Sequence, residues 1–445
     1  MMETGDPRAG RMRRWLRPGT GVKRWLVVVF LGELLLAVGG ALALRSFLRE
    51  VASEGPAGTL TSIATLQFLP VEVRSMLLLG AGLVVFLYGC WRLIAVLLGT
   101  FPARPEPLLE LIYQKRSLAR GLRVVAIGGG TGLSTLLRGL KETTSNITAV
   151  VAVADDGGSS GKLRDELGIP PVGDIRNCIA ALADTEPLMR RLLQYRFPQE
   201  RTVAGGLSGH AFGNLLIAAL TDIEGDFEEG VRQSNRVLAV RGQVVPAAPE
   251  ALILHAELAD GTALVGESQI AAARGIRRVW ITPDGVSASA EAIQAIATAD
   301  LIVLGPGSLY TSLLPSLLIP ELRAALGRAT CLRVFVANVA TQVGETEGFT
   351  LAQHLAALAA HGAGELVDVV VANDNFRARV PANYPATAVR IDLPPDGSRP
   401  RIVLRDVVAD DNAHHHDPRK LATTLMQLHE DQAAVRAPVS VERSA

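Results

Sequence analysis

Glycines and small polar residues recur where apolar runs give way to helical patterns in this 445-residue sequence. Clustered glycines let a backbone approach an anion closely, and the free amides and dipole of a new helix stabilise its charge. The first such motif is the glycine run at residues 128–132. Leu133 stands where a dinucleotide-binding signature has its third glycine, so this signature is incomplete. A purely structural tight turn is the alternative. The motif follows the run RVVAI, precedes LSTLLRGL, and consists of Gly128, Gly129, Gly130, Thr131 and Gly132.

A second loop of this kind follows the next apolar run, ITAVVAVA. It contains Asp155, Asp156, Gly158, Ser159 and Ser160. A carboxylate at this strand end is where a ribose-binding acid is expected, and amides and hydroxyls in one loop can form an anion nest. The loop lacks the hydroxyl that a Walker A motif requires after its lysine. The paired carboxylates could also hold a metal or act as a base, whereas an aspartate that caps a helix is the structural alternative.

Three more clusters combine glycine with polar residues before an apolar helical run, and each could instead be ordinary helix capping. A histidine such as His210 can act as an acid or base near neutral pH or make a buried structural hydrogen bond. Tyr310 can stack on a base or sugar, or pack in the core. Arg176 is a secondary candidate for neutralising phosphate. The candidate ligand-binding residues in these clusters are Asp174, Asn177, His210, Gly213, Asn214, Gly307, Ser308, Tyr310 and Thr311.

Short Val/Ile/Ala runs that alternate with helical patterns must position these loops. Such alternation predicts an α/β fold, a Rossmann-like and mostly parallel sheet with helices on both faces. In these sheets ligands bind beyond the carboxyl ends of the strands. Residues 251–269 predict an antiparallel hairpin that turns at Asp260 and Gly261, and residues 175–241 predict a helical cap or insertion.

Two apolar runs, residues 25–44 and 76–99, are each long enough to span a bilayer and contain only Glu33 and Arg92 as charged residues. Basic residues flank the pair on both outer sides, which predicts a multi-pass cell-membrane protein with both termini and the main domain in the cytoplasm. A cleaved signal peptide is the rival interpretation of the first run. The predicted plan is an anchor at 1–100, a linker at 101–121, an α/β domain at 122–409 that binds a phosphorylated, nucleotide-like ligand, and a C-terminal helix or tail at 410–445.

Composition excludes several other classes. The 44 basic and 44 acidic residues cancel and aromatic residues make up only 4%, so no nucleic-acid partner is expected. The three cysteines form no CxxC pair, so neither a disulfide framework nor a zinc site is indicated. The tract His414, His415 and His416 could bind a metal, but we interpret it as a solvated surface segment. No metal ligands and no catalytic residues are predicted.

The motifs VVAIGGGTGLSTLLRGLK, AVVAVADDGGSSGKLRDELGIPPVGDIRNCIAALAD, LSGHAFGNLLIAAL and ADLIVLGPGSLYTSLLPSLL resemble the YvcK family, also called GlmR or gluconeogenesis factor, which is related to the CofD phospholactate transferases. The resemblance covers roughly residues 122–406. Val172 and Val343 depart from prolines that are usual in the family. By motif, the implied ligand contacts are Gly130, Thr131, Asp155, Asn214 and Tyr310 with their loop neighbours.

What the resemblance implies is a protein that binds UDP-N-acetylglucosamine and links carbon metabolism to cell-wall precursor synthesis and cell shape. As a regulator it needs no cofactor, although Mg²⁺ at the diphosphate is compatible with it. Expected partners are the membrane, through the N-terminal hairpin, an enzyme of amino-sugar synthesis, and further copies of the chain. The alternatives are a CofD-like transfer of a phospholactyl group to a deazaflavin, and a membrane scaffold that has lost its ligand.

Overall fold

The computed structural model describes residues 116–184, 187–198, 206–378, 386–392 and 400–436, together with six separate positions before residue 81. The elements below belong to the second of two compact units, Glu106–Ala445. Apart from isolated positions, both predicted membrane segments (residues 25–44 and 76–99) lie outside this described part, so the two spans stay predictions. Within it, no helix combines the length and apolar character needed to cross a bilayer.

Strands occupy most of the short Val/Ile/Ala runs. The ten described strands are β1 (Val124–Gly128), β2 (Ile147–Val151), β3 (Gln243–Pro246), β4 (Ile253–Leu258), β5 (Ala263–Val265), β6 (Ile276–Thr282), β7 (Leu301–Leu304), β8 (Leu332–Val336), β9 (Val369–Asn373) and β10 (Arg401–Arg405). Seven of them form a sheet in the order β10-β9-β8-β7-β1-β2-β3, and every neighbouring pair is parallel. All five residues of β1 and of β9 are buried, as expected for β-branched runs in a covered parallel sheet.

The strand order reverses between β1 and β7. From β1 the chain proceeds outward to β2 and β3, and from β7 it proceeds in the opposite direction to β8, β9 and β10. Right-handed crossovers then place the connecting helices on opposite faces for the two halves. The loops after β1 and β7 diverge at this point, which is where ligands bind in open α/β sheets. The predicted mostly parallel α/β sheet is confirmed.

Twelve α-helices are described. Five of them fill the connection between β2 and β3, and the last four cover the described part of residues 175–241, so the helical insertion predicted there is confirmed. A π-helical turn at Leu309–Leu313 and a 3-10 turn at Gly364–Leu366 complete the helical elements of that part. The α-helices are α1 (Gly130–Leu140), α2 (Gly158–Leu167), α3 (Gly173–Leu182), α4 (Pro187–Leu193), α5 (Phe212–Glu224), α6 (Phe227–Val237), α7 (Glu267–Ala271), α8 (Ala290–Thr298), α9 (Leu314–Leu317), α10 (Pro320–Arg328), α11 (Leu351–Ala360) and α12 (Pro418–Arg436).

A second, antiparallel sheet has the order β5-β4-β6. The pairing of β4 with β5 encloses Asp260 and Gly261, and Gly261 has a φ of +87°, a conformation that suits glycine. Asp260 closes the turn because its carboxylate accepts a hydrogen bond from the Thr262 amide at 2.9 Å. The hairpin predicted from residues 251–269 is therefore confirmed.

Helix α1 fixes the first glycine loop to the core. Its apolar residues at positions 133, 136, 137 and 140 are fully buried, and burying one leucine contributes about 1.5–3 kcal/mol. On its other side α1 contacts the start of α12 so closely that a Cβ on Gly139 would stand 1.8 Å from the carbonyl oxygen of Pro418. The C-terminal helix is thereby packed on the helix that carries the glycine loop.

Candidate functional site

The junction of β1 and α1 has the backbone form expected of an anion-binding loop. Gly130 has a φ of +63°, and its amide donates a hydrogen bond to Asp174 Oδ2 at 2.7 Å. A Cβ on Gly132 would lie 2.6 Å from the carbonyl oxygen of Pro306, so only glycine permits this approach. The β1 loop and the β7 loop are therefore in direct contact.

The β7 loop is held from the neighbouring strand. Asn338, two residues after β8, accepts a hydrogen bond from the Gly307 amide at 3.3 Å and donates one to the Gly307 carbonyl at 3.0 Å. Gln342 Nε2 donates to Ser308 Oγ at 2.6 Å. Three successive strand ends thus present amide and hydroxyl groups at one edge of the sheet.

These loops enclose a first cavity of about 270 Å³. Six of the predicted ligand-binding residues line it, from both glycine loops. The histidine tract, residues 414–416, lines the same cavity. The lining residues are Gly129, Gly130, Thr131, Gly132, Thr135, Pro306, Gly307, Ser308, Asn338, Val339, Ala340, Gln342, His414, His415 and His416.

A second cavity of about 250 Å³ lies at the β2 loop and the start of α3. It is lined by two arginines, two aspartates and several residues with hydroxyl or amide groups. Seven of the lining residues are predicted ligand-binding residues. Its lining consists of Asp155, Gly157, Gly158, Ser159, Ser160, Gly173, Asp174, Arg176, Asn177, Arg196 and Asn214. The two cavities meet at Asp174, whose side chain lines the second and bonds the Gly130 amide of the first.

The second cavity contains buried polar atoms without partners. Asn214 Nδ2 donates to Ser159 Oγ at 3.0 Å, but Asn214 Oδ1 has no hydrogen-bond partner among the described residues. Arg176 is only 7% exposed, and its Nε atom likewise finds no partner in the described part of the chain. Since buried polar groups are normally satisfied, such atoms at a cavity point to a ligand with complementary donors and acceptors.

Ser159 is the centre of a buried polar network. Its Oγ lies 3.2 Å from His210 Nδ1 and accepts a hydrogen bond from the Ala211 amide at 3.2 Å. His210 is 2% exposed and lines neither cavity, so in the structure it holds the serine loop against the start of α5. A Cβ on Gly213 would lie 2.8 Å from Arg176 Cγ, which explains the glycine there by close packing.

The two adjacent aspartates have different surroundings. Asp155 Oδ1 accepts from the Gly157 amide at 2.8 Å, and the residue lines the second cavity. Asp156 Oδ1 instead accepts from the Ser268 amide at 2.8 Å in the first turn of α7 and lines neither cavity. The capping alternative raised from sequence is therefore realised at Asp156.

Carboxylates around the loops have raised pKa values. Desolvation by burial raises the pKa of Asp174 to about 6, and the nearby charge of Asp155 adds to it. Burial also raises the pKa of Glu267, at the start of α7, well above its ordinary value, with Asp174 and Asp155 contributing. Perturbed carboxyl groups of this kind cluster at functional sites more than elsewhere.

Tyr310 is buried in the core and lines neither cavity. Its side chain is 3% exposed and makes edge-to-face contacts with Phe349 and His361. Burial raises its pKa to about 12. Glu345 accepts hydrogen bonds from the amides of Tyr310 and Thr311, the latter at 3.0 Å, and burial raises the pKa of Glu345 to about 7. Glu345 therefore holds the start of the π-helical turn that follows the β7 loop.

Three features of the site escaped the sequence analysis. The interpretation of the histidine tract as solvated is wrong for His416, which is 7% exposed and lines the first cavity. Arg196, which lines the second cavity, and Glu345 were not among the predicted ligand-binding residues. Glu345 follows a glycine and lies two residues after Val343, so the glycine and the family resemblance of that segment were its signals. The histidine tract was conspicuous in sequence, but its place beside the β1 loop, nearly 300 positions away, was not visible there.

Diverging loops at a strand-order reversal, glycine amides and unpartnered polar groups form the arrangement with which α/β proteins bind phosphorylated ligands. A family model described as 2-phospho-L-lactate transferase CofD matches residues 124–408. A relative from Nostoc sp. is 43% identical over 432 residues, 94% of this chain and 93% of its own length. The Bacillus subtilis protein named "Gluconeogenesis factor" is 44% identical and is covered over 98% of its length by 69% of this chain.

A crystal structure of a UPF0052-family protein from Bacillus halodurans has a TM-score of 0.64 and 43% identity, with 69% of this chain and 99% of that chain covered. The chain belongs to the gluconeogenesis factor family, also called the YvcK family, and carries a CofD-family domain. The family predicted from the sequence motifs is confirmed.

Proposed function

We propose that this protein binds UDP-N-acetylglucosamine as a regulatory ligand and thereby links carbon metabolism to cell-wall precursor synthesis and cell shape. The observation that carries the proposal is the pair of polar cavities that meet at Asp174 and Gly130. Together they have the size of a site for a small ligand of this class, and relatives share the gluconeogenesis factor name.

The two cavities suit different parts of a nucleotide sugar. The first offers backbone amides from two glycine loops, which favour a diphosphate. The second offers Arg176, Arg196 and Asn214, whose donors and acceptors favour a ring or an acetamido group that carries both. In this assignment the diphosphate lies near the Gly130 amide and the Asp174 carboxylate moves or becomes protonated as the ligand enters.

Regulation requires that the ligand bind two conformations unequally. The β7 loop is the element that we assign to this change, because it is held by Asn338, Gln342 and Glu345 from a segment that follows β8. Its surface would then present the liganded state to an enzyme of amino-sugar synthesis. The N-terminal hairpin would anchor the protein at the membrane. Unchanged cell shape and unchanged membrane fractionation after deletion of residues 1–100 would contradict that anchoring role.

Calorimetric titration of the full-length protein tests the proposal. UDP-N-acetylglucosamine is expected to bind more tightly than UDP-glucose and GDP, because the acetamido group supplies partners for the second cavity. Asn214→Ala should weaken binding roughly tenfold, since one hydrogen bond to a buried group is lost. The exposed Gln294 on α8 lines neither cavity, and Gln294→Ala serves as the control. Absence of binding by all three nucleotides would end the proposal.

The second candidate is a CofD-like transferase, favoured by the description of the family model that matches residues 124–408. Phosphoryl-type transfer mainly demands positioning and charge neutralisation. Asp155 and Asp174 line one cavity and fit a Mg²⁺ site that substrate phosphates complete, although no group of three metal-binding side chains occurs in the described residues. Bound Mg²⁺ would neutralise the diphosphate. Turnover of a phospholactyl donor and a deazaflavin by the purified protein would establish this function in place of the first.

A further inference from the structure

The histidine tract forms a wall of the first cavity, although it lies beyond the family-matched residues 124–408. His414, His415 and His416 all line it, together with residues of the two glycine loops. Among all residues that line this cavity, these three are the ones whose side chains can carry a charge. A diphosphate bound by the loop amides would have no other lining group to neutralise it.

The tract is held in place from both sides. His416 is buried, and its Nε2 atom lies 3.2 Å from the carbonyl oxygen of Ala337, the residue that follows β8. The backbone carbonyl of His415 accepts a hydrogen bond from the Ala409 amide at 2.9 Å. Immediately after the tract, Lys420 in the first turn of α12 forms ion pairs with Asp406 and Asp410. The cavity wall is therefore preorganised.

We propose that the tract is the cationic wall of the anion-binding cavity: His414 and His415 contact the diphosphate-bearing part of the ligand and take up a proton when it binds. This inference rests on the proposed function of the same site. His416 is the anchor that fixes the wall to the end of β8. Because the tract leads directly into α12, which packs on α1, the ligand would join the β1 loop to the C-terminal helix.

The physical basis is a change of environment at the two imidazoles. Burial, and then the neighbouring His415, lower the pKa of His414 in the free protein. A diphosphate within about 4–6 Å favours the charged imidazolium and raises that pKa. His416 has a pKa of about 4, held low by burial, and stays neutral. Binding must therefore tighten as the pH falls toward 6.

Other titratable groups near the site have to be separated from this effect. The ion-paired Lys420, Asp406 and Asp410, and Asp417, which accepts hydrogen bonds from the first amides of α12, flank the tract. On the opposite side of the cavity, Asp174 holds the Gly130 amide. A diphosphate near Asp174 would also raise the pKa of that carboxyl, so Asp174 is a second site of proton uptake. A variant of Asp174 is needed alongside the histidine variants.

The test is calorimetry of the full-length protein with UDP-N-acetylglucosamine between pH 6 and pH 8, in buffers of different ionisation enthalpy. If the pKa of one imidazole rises by one unit, the dissociation constant should fall roughly fivefold from pH 8 to pH 6. The double variant His414→Gln and His415→Gln should lose that part of the proton uptake. Asp174→Asn should retain it. His429→Gln, on α12 but not lining the cavity, is the matched control.

Two results separate the inference from the function on which it rests. If UDP-N-acetylglucosamine binds but the double variant shows the same proton uptake and pH profile as the unaltered protein, the inference is overturned and the proposed function stands. If UDP-N-acetylglucosamine fails to bind at any pH, the proposed function fails, and the same titrations with inorganic pyrophosphate then decide the inference. Histidine-dependent binding of pyrophosphate would support it, and histidine-independent or absent binding would refute it. Thermal unfolding of each variant, with a midpoint equal to that of the unaltered protein, checks that the substitutions leave the fold intact.

Discussion

Asp174 is predicted to lower the stability of the folded protein at neutral pH. Its carboxylate accepts the Gly130 amide at 2.7 Å, yet desolvation raises its pKa from 3.8 to about 6. A shift of about two pKa units corresponds to about 3 kcal/mol, because one unit is worth about 1.4 kcal/mol. Two effects reduce the gain in the free energy of unfolding expected for Asp174→Asn to about 1–2 kcal/mol. The Asp174 side chain is partly exposed, and the NH2 group of the new asparagine needs a hydrogen-bond acceptor of its own.

The sign of this effect depends on pH. The folded carboxyl binds its proton more tightly than the unfolded one, so the wild-type protein gains stability as the pH falls from above 6 toward 4. Asp174→Asn should therefore be more stable than wild type at pH 7.5, and the difference should vanish near pH 4. An asparagine can keep the hydrogen bond from Gly130 through its own oxygen.

Urea unfolding at pH 7.5 and pH 4.5 measures this difference in the free energy of unfolding, with Asp165→Asn on the exposed face of α2 as the control. The midpoint should rise for Asp174→Asn at pH 7.5 while the slope against urea stays constant. A variant that is equal to or less stable than wild type at pH 7.5, with an unchanged slope, would refute the argument that burial disfavours this charge. It would also remove one reason for regarding Asp174 as a strained site residue.

Three other substitutions test neighbouring parts of the site. Gly132→Ala should abolish nucleotide binding in calorimetry, because a Cβ there would stand 2.6 Å from the Pro306 carbonyl oxygen and separate the β1 loop from the β7 loop. The far-ultraviolet circular dichroism should stay largely intact. Tight binding by this variant would show that the two loops need not touch. Arg176→Met should weaken UDP-N-acetylglucosamine binding roughly tenfold or more, because the variant lacks a buried guanidinium whose Nε has no partner among the described residues. Arg164→Met on α2 is the control. Equal affinities of the two variants would contradict the assignment of Arg176 to the ligand site. Burial raises the pKa of Glu345 to about 7, so the wild-type protein loses stability as the pH rises from 4.5 to 7 and this carboxyl ionises. Glu345→Gln should abolish that part of the pH dependence of stability. Identical pH profiles of the variant and the wild type in thermal unfolding would contradict this prediction.

Much of the fold was accessible from local pattern. The run VVAIG predicts β1 because apolar β-branched residues fill a strand that is buried on both faces, and the Asp260–Gly261 pair predicts a turn because glycine tolerates a positive φ. The glycine loops were recognisable for the same reason. The pairing of each carboxylate with a particular amide could not be recognised from the sequence, because it depends on contacts between segments far apart in the chain.

Asp156 and Asp174 illustrate the difference. Both follow or precede glycines in loops, and in sequence both are equally good candidates for a ligand-binding carboxylate. The structure directs Asp156 to the first turn of α7, more than 100 residues away, and Asp174 to the Gly130 amide between the two cavities. Their surroundings, and hence their electrostatics, come from packing alone.

The sequence by itself determined the parallel α/β architecture, the positions of the glycine loops and the family, since each depends on residue type over a few neighbouring positions. Only the tertiary structure decided that the β1 and β7 loops touch, that Tyr310 is buried away from the cavity, and that the histidine tract lines it. The physical reason is that sheet order and helix packing bring together groups separated by nearly 300 residues. No local periodicity records such a contact.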